Sequence, residues 1–163
     1  MAERPLWAPW RLEYILSSKD EGCIFCAAAS GTPEQARWVI DRGQHCFTIM
    51  NTFPYAPGHV MVAPRRHVAD LEELTEGESA ELLALAKRAL TAMRHAMSPQ
   101  GFNVGLNLGE VAGAGIADHL HLHVVPRWQG DNNFMPVTAE THVIPQALEA
   151  AKAALLDVLT RDQ

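Results

Sequence analysis

Short apolar runs separated by turn residues fill the first part of the chain and are typical of β-strands. Residues 38–40 and 46–50 are two such runs, and the segment 41–44 between them predicts a hairpin. A third strand is predicted over residues 59–63, which follow Pro57 and Gly58 and end at Pro64. The first half of the chain is therefore expected to contribute three strands to a sheet.

A long helix is predicted to begin at Thr75. Thr75 and Glu78 have the spacing of a capping box, in which each residue satisfies a free backbone donor at the helix start. The apolar positions that follow recur at helical spacing, and Pro99 closes the segment. These positions are Leu82, Ala86, Ala89 or Leu90, Met93 and Met97.

The rest of the chain predicts strands over 102–108 and 119–126, with a glycine-rich loop between them, and a helix over 146–159. Strands in hairpin order with segregated helices indicate an α+β fold with an antiparallel β-sheet, a long central helix and a C-terminal helix. We divide the chain into an N-terminal arm (1–22), a domain (23–135) and a C-terminal segment (136–163) whose helix packs on the domain.

Composition narrows the possible functions. The chain has 163 residues and a net charge of −6, which argues against a basic face that holds long nucleic acid. A small phosphorylated ligand remains compatible with a local cationic site. No apolar run reaches the length of about 20 residues that spans a bilayer, and the first ten residues do not resemble a signal peptide. We expect a cytoplasmic protein with no nucleic-acid or membrane partner.

Three histidines alternate with apolar residues near the end of the predicted sheet. In a strand, His119, His121 and His123 would share one face at intervals of about 6.5–7 Å, with Leu120 and Leu122 on the other. Such a row could hold a metal, or it could bind phosphate and supply a nucleophile. Histidine seldom fills every polar position of an amphipathic strand by accident, so functional interpretations are favoured over a merely polar surface.

A second group is the pair Cys23 and Cys26. A C-x-x-C spacing alone fits zinc binding, redox chemistry or no function. The redox form requires a βαβ context that this N-terminal region does not offer.

The histidine row, followed by two apolar residues, is the signature of the histidine triad family. Residues 50–64 resemble the nucleoside-binding strands of that family, and residues 101–109 resemble the strand and loop that lead into the triad. The resemblance runs from about residue 23 to residue 128, and the terminal regions resemble the bacterial group that acts on diadenosine tetraphosphate. It implies a histidine-triad-like fold, a homodimer and a small nucleotide substrate with adenine as its base.

The resemblance also implies a mechanism. His121 would attack the α-phosphorus and form a nucleotidyl–histidine intermediate, with its second nitrogen held by the backbone carbonyl of His119. His123 would contact the phosphate and the bridging oxygen. Asn107 would bind phosphate oxygens, and Asn51 would hold the ribose hydroxyls.

In zinc-bearing members of the family, the cysteine pair is completed by two histidines. The matching set here is Cys23, Cys26, His67 and His119. Two thiolates and two imidazoles form a closed tetrahedral site, which is structural rather than catalytic.

The loop before the triad departs from the wider family. Where many members have glutamine followed by serine or threonine, this chain has only small residues, and Gly113, Ala114 and Gly115 are expected to contact the nucleotide phosphates through backbone N–H groups. We expect inorganic phosphate to occupy the space beside the intermediate as acceptor, which would make the enzyme a phosphorylase. The alternatives are a hydrolase that uses water and a zinc-stabilised nucleotide-binding module with little turnover.

Overall fold

Five strands of the described chain form one antiparallel sheet. The structure is a computed structural model that describes residues 22–131 and 147–161. The arm predicted over residues 1–22 therefore lies almost entirely outside the described residues. The strands are β1 (Val39–Arg42), β2 (Cys46–Met50), β3 (Val60–Pro64), β4 (Gly101–Leu106) and β5 (Leu122–Arg127). Their order across the sheet is β1-β2-β3-β5-β4.

Four helices are described. They are α1 (Ile24–Ser30), α2 (Pro33–Ala36), α3 (Glu76–Met97) and α4 (Leu148–Arg161). The predicted capping box of α3 is confirmed, because the Glu78 N–H donates to Thr75 Oγ1 at 3.2 Å and the Thr75 N–H donates to Glu78 Oε2 at 2.9 Å. Among these helices, none combines the length and apolar character that a bilayer-spanning segment requires.

The two faces of the sheet are covered differently. Helices α3 and α4 pack on one face, where Val62, Leu122 and Val124 belong to the larger apolar cluster. Helix α1 covers the other face, where Phe25 packs with Met61 in a smaller cluster. The sheet and the helices on its faces confirm the α+β fold.

Strand register places the triad on the face covered by α1. His123 pairs with Met61, whereas Leu122 and Val124 pair with Val62 and Val60 on the α3 side. The predicted alternation of histidines and core residues is therefore present in the structure around β5.

The triad strand begins later than predicted. β5 starts at Leu122 rather than at residue 119, because Pro64 at the end of β3 has no N–H to continue the ladder. The Leu120 N–H instead donates to the carbonyl of Val68 at 2.7 Å. His119 and His121 thus precede the regular strand, where their side chains can take individual directions.

The strand predicted over residues 46–50 is confirmed as β2, and, apart from the start of β5, the other strands and the C-terminal helix differ from their predicted bounds by one to two residues at either end. The predicted strand at 38–40 is β1 over Val39–Arg42, the one at 102–108 is β4 over Gly101–Leu106, and the helix at 146–159 is α4 over Leu148–Arg161. Helices α1 and α2 were not predicted. Both are short, and neither has a side-chain hydrogen bond at its N-cap.

Candidate active site and metal centre

His121 and His123 place two imidazoles side by side at the start of β5. Their ring centroids are 4.9 Å apart and the rings are nearly perpendicular, at 73°. His119 lies on the same side of the chain, but its ring belongs to a neighbouring cluster of sulfur and nitrogen atoms. The three triad residues therefore occupy two adjoining sites.

The proton on His121 has a defined position. Its Nδ1 lies 2.8 Å from the backbone oxygen of His119, so Nδ1–H donates to that carbonyl. Burial lowers the pKa of His121 below its usual value, which keeps the ring neutral near pH 7. A neutral imidazole with its proton on Nδ1 has a lone pair on Nε2, the form required of a nucleophile.

The proton on His123 is fixed by a different chain of contacts. The Tyr55 N–H donates to Nδ1 of His59 at 3.1 Å, so neutral His59 carries its proton on Nε2. That Nε2 lies 2.9 Å from Nδ1 of His123 and donates to it. Neutral His123 therefore carries its own proton on Nε2, where it can donate to a ligand.

Burial keeps both rings of this pair neutral. His59 is fully buried, and burial together with its neighbours His123 and His121 lowers its pKa to about 3. Burial, followed by proximity to His121, lowers the pKa of His123 to about 4. The two adjacent imidazoles of His121 and His123 thus have opposite tautomers, one an acceptor and one a donor at Nε2.

His59 is a further residue of this site, beyond those predicted from the sequence. The chain places it directly before β3, and its contact with His123 spans 64 residues. Its position after Pro57 and Gly58 was the available signal, since that turn brings the start of β3 beside the triad strand.

The two predicted asparagines lie at the margins of this site. The Oδ1 atom of Asn51 accepts from the Phe53 N–H at 2.9 Å, and its Nδ2 is 3.3 Å from Nδ1 of His59. Asn107 follows β4 directly, next to Leu106, which pairs with Leu122 at the start of β5. Their roles toward ribose and phosphate remain predictions.

In the loop before the triad, which contains Gly113, Ala114 and Gly115, two backbone N–H groups donate to carbonyls of the same loop. A 3-10 turn covers Glu110–Ala112 and ends at Gly113, whose φ of 90° is left-handed. The N–H of Gly113 donates to Glu110 and that of Ala114 donates to Gly109. If these two N–H groups also bound phosphate, each would have to divide its hydrogen bond between the phosphate and the carbonyl to which it already donates. The roles assigned to Gly113, Ala114 and Gly115 remain predictions.

The predicted metal ligands form a cluster beside the triad. The ligand atoms of Cys23, Cys26, His67 and His119 all lie within 4.8 Å of one another. Cys23 Sγ lies 3.1 Å from His119 Nδ1, and Cys26 Sγ lies 3.3 Å from His67 Nδ1. Ligands of tetrahedral zinc lie about 3.3–3.8 Å apart, given bond lengths of about 2.0–2.3 Å. The cluster therefore fits one such ion.

The second nitrogen of His119 supports this interpretation. Nε2 of the fully buried His119 lies 2.9 Å from the Pro64 carbonyl and donates to it, which leaves Nδ1 unprotonated and directed at the cluster. His119 therefore connects the two sites, because its ring faces the cluster and its backbone oxygen holds His121.

A comparison with known proteins identifies the family of this chain. The family model described as the HIT domain matches residues 32–130, which include the triad and His59. The chain belongs to the HIT family. The matched residues do not include Cys23 and Cys26, so that half of the metal cluster lies outside the matched segment.

Two known proteins are similar over most of this chain. AP-4-A phosphorylase of Mycobacterium tuberculosis is 40% identical over 158 residues, covering 92% of this chain and 81% of that protein. The crystal structure of a Zn-bound histidine triad family protein from Mycobacterium smegmatis has a TM-score of 0.69 at 27% identity, covering 86% of this chain and 94% of the other.

A third similarity concerns the fold alone. Plasmodium falciparum diadenosine triphosphate hydrolase has a TM-score of 0.61 at 18% identity, covering 77% of this chain and 78% of the other.

Proposed function

We propose that this protein cleaves diadenosine tetraphosphate or a similar dinucleoside polyphosphate through a nucleotidyl–His121 intermediate, which phosphate then resolves. The observation that carries the proposal is the pair of opposite tautomers on His121 and His123, an acceptor beside a donor. The similarity to AP-4-A phosphorylase of Mycobacterium tuberculosis supports the substrate class.

The first step transfers the nucleotide to His121. Nε2 attacks the α-phosphorus, a P–N bond forms, and the bond from that phosphorus to the bridging oxygen breaks. The positive charge that develops on the imidazole is stabilised by the Nδ1–H bond to the His119 carbonyl. The nucleotide product leaves with the electron pair of the broken bond.

His123 serves the departing group as a hydrogen-bond donor. A phosphate monoester has a second pKa of about 6, so the product leaves as an anion and needs no complete proton transfer. The Nε2–H of His123, whose position follows from its contact with His59, stabilises that negative charge at the bridging oxygen.

In the second step an acceptor oxygen attacks the same phosphorus and the P–N bond breaks, which restores His121. Phosphate as acceptor gives a nucleoside diphosphate, and water gives a monophosphate. Small side chains at Gly113, Ala114 and Gly115 support phosphate, because they leave room beside the intermediate.

Labelled inorganic phosphate supplied with diadenosine tetraphosphate tests the acceptor. We expect label in ADP, formed together with ATP. AMP and ATP without incorporated label would make the enzyme a hydrolase. Binding without either set of products would instead identify a nucleotide-binding module.

Zinc is the metal we propose for the cluster, in a structural role. Two cysteine sulfurs and two imidazoles form a donor set that zinc prefers, and the Mycobacterium smegmatis neighbour is Zn-bound. The bound ion would clip α1 to the start of the triad segment. Cysteines that bind metal instead of forming a disulfide are typical of a reducing compartment, which supports the cytoplasmic location we propose.

We further propose a homodimer built on strand β4. This strand lies at an edge of the sheet, and Val104 on it and Leu108 beyond it are 47% and 44% exposed. A second copy pairing with this edge would cover both apolar side chains and the free ladder groups.

Sedimentation of the wild type and of Val104→Lys tests the dimer. We expect a dimer that the substitution weakens. Leu83→Lys is a matched control, because Leu83 is 57% exposed on α3 rather than on β4. A monomeric wild type would contradict the proposal.

A further inference from the structure

Phe25 is a fully buried aromatic residue between the two thiol ligands. It lies in the first turn of α1, with Cys23 at the N-cap of that helix and Cys26 one residue further on. Its ring is stacked on that of His121, with centroids 4.9 Å apart and an angle of 30°. The same ring lies 5.0 Å from that of His119. One side chain therefore contacts both the nucleophile and a metal ligand.

The hydrogen bond to His121 leaves part of the orientation of its ring undefined. The torsion that turns an imidazole is broad, and a single bond at Nδ1 fixes the direction of one edge rather than the plane of the ring. Phe25 covers one face of that imidazole, and His123 lies edge-on to it. These two neighbours restrict the rocking that the hydrogen bond permits.

We propose that Phe25 is a positioning residue for the nucleophile, through which the metal-binding turn holds the plane of the His121 ring. Cys23 and Cys26 hold the first turn of α1 in place at the metal site. That turn positions the Phe25 ring, and the Phe25 ring limits the motion of the His121 imidazole. The inference rests on the proposed role of His121 as nucleophile. It gives the structural metal site a direct effect on the rate of nucleotidyl transfer.

Substrate contact does not account for this placement. Phe25 is 0% exposed and packs with Phe47, Ile49 and Met61 beneath the site. Loss of its ring should therefore change the rate of the chemical step and leave the affinity for nucleotide unchanged. In-line attack is sensitive to such changes, since a displacement of about 1 Å can cost about 100-fold in rate.

The test compares Phe25→Leu with Phe47→Leu in the metal-loaded protein. Both residues are 0% exposed and belong to the same cluster, so the two substitutions remove similar apolar volume. We expect Phe25→Leu to slow formation of the His121 adduct by about 10- to 100-fold, with KM and metal content unchanged within about twofold. Phe47→Leu should leave adduct formation unchanged within about twofold. Equal rates in the two variants would overturn the proposal.

NMR of the His121 ring gives a readout that does not depend on turnover. Loss of the stacked ring should shift the His121 C–H resonances in Phe25→Leu and not in Phe47→Leu. Absence of any adduct in the wild type would refute the proposed function, whereas unshifted resonances would refute the positioning role alone. Phe25→Met repeats the test if the leucine variant loses metal, and metal loss in both variants would show that Phe25 is only structural.

Discussion

The Nε2 atom of His59 lies 2.9 Å from Nδ1 of His123, and the other nitrogen of His59 accepts from the backbone N–H of Tyr55. A backbone donor thus sets the proton position on His59, and His59 sets it on His123. Because both rings are buried and neutral, the arrangement directs one N–H of His123 away from His59. In the proposed mechanism that N–H meets the leaving phosphate.

Two substitutions of His59 should separate the effect of its hydrogen bonds from the effect of its packing. His59→Gln retains an N–H donor for His123 and an oxygen that accepts from Tyr55, whereas His59→Leu has neither. We expect kcat to fall by about 10- to 100-fold in the leucine variant and less in the glutamine variant, with small changes in KM. Steady-state kinetics on both variants make the measurement. Equal kcat values in the two variants would show that hydrogen bonding by His59 does not matter.

The free energy of unfolding should fall in mild acid because His59 and His123 are buried as neutral imidazoles. The pKa of His59 is lowered to about 3 and that of His123 to about 4, so the unfolded chain binds protons at a higher pH than the folded one. The associated stability is fully present above the unfolded value of about 6.5 and is lost as the pH falls toward 4 and then 3.

Urea unfolding between pH 7 and pH 4 measures this loss. The free energy of unfolding should decline less steeply with falling pH in His59→Gln than in the wild type, because the variant has one fewer buried imidazole. Metal release in acid affects both proteins and cancels in the comparison. Parallel pH profiles would contradict the assignment.

The cysteines should differ in their effect on metal content. Purified protein is expected to contain about one zinc per chain, and Cys23→Ser should reduce that content and lower the Tm. Cys46→Ser is the matched control, because Cys46 is also a cysteine but is buried on β2 and donates to the Glu78 carbonyl. The measurement is metal analysis of Cys23→Ser and Cys46→Ser. Equal zinc content in the two variants would show that Cys23 is not a ligand.

The hairpin between β1 and β2 depends on the space around Gly43. The Glu81 carboxylate accepts from the N–H groups of Gln44, His45 and Cys46, and a Cβ on residue 43 would lie 2.5 Å from its carbon. Gly43→Ala should therefore destabilise the fold by about 1–3 kcal/mol, because Glu81 would lose these bonds in moving away. The loss should be smaller when alanine is introduced into Glu81→Ala, and equal losses in both backgrounds would exclude the clash.

Local sequence patterns predicted the features that depend on neighbouring residues. The capping box of α3 needs only Thr75 and Glu78, and the alternation around His123 needs only the period of a strand. Both therefore appear in the structure as predicted. The predicted start of the triad strand was wrong, because where this strand begins depends on Pro64 in another strand.

Long-range contacts explain what the sequence did not predict. Helix α1 has seven residues and no side-chain N-cap bond, so it depends on packing and on its cysteines rather than on intrinsic helix stability. Its residue Phe25 meets His121 only in the folded chain. The contact of His59 with His123 likewise joins the residue directly before β3 to a residue of β5, 64 positions further along the chain.

The central claim is that His121 becomes covalently nucleotidylated. The direct measurement is mass spectrometry of enzyme quenched within the first turnover with diadenosine tetraphosphate, followed by peptide mapping. We expect an added AMP on the side chain of His121 in its peptide, absent in His121→Ala, which should fold and bind nucleotide but not turn over. An adduct on another side chain, or full activity in His121→Ala, would contradict it.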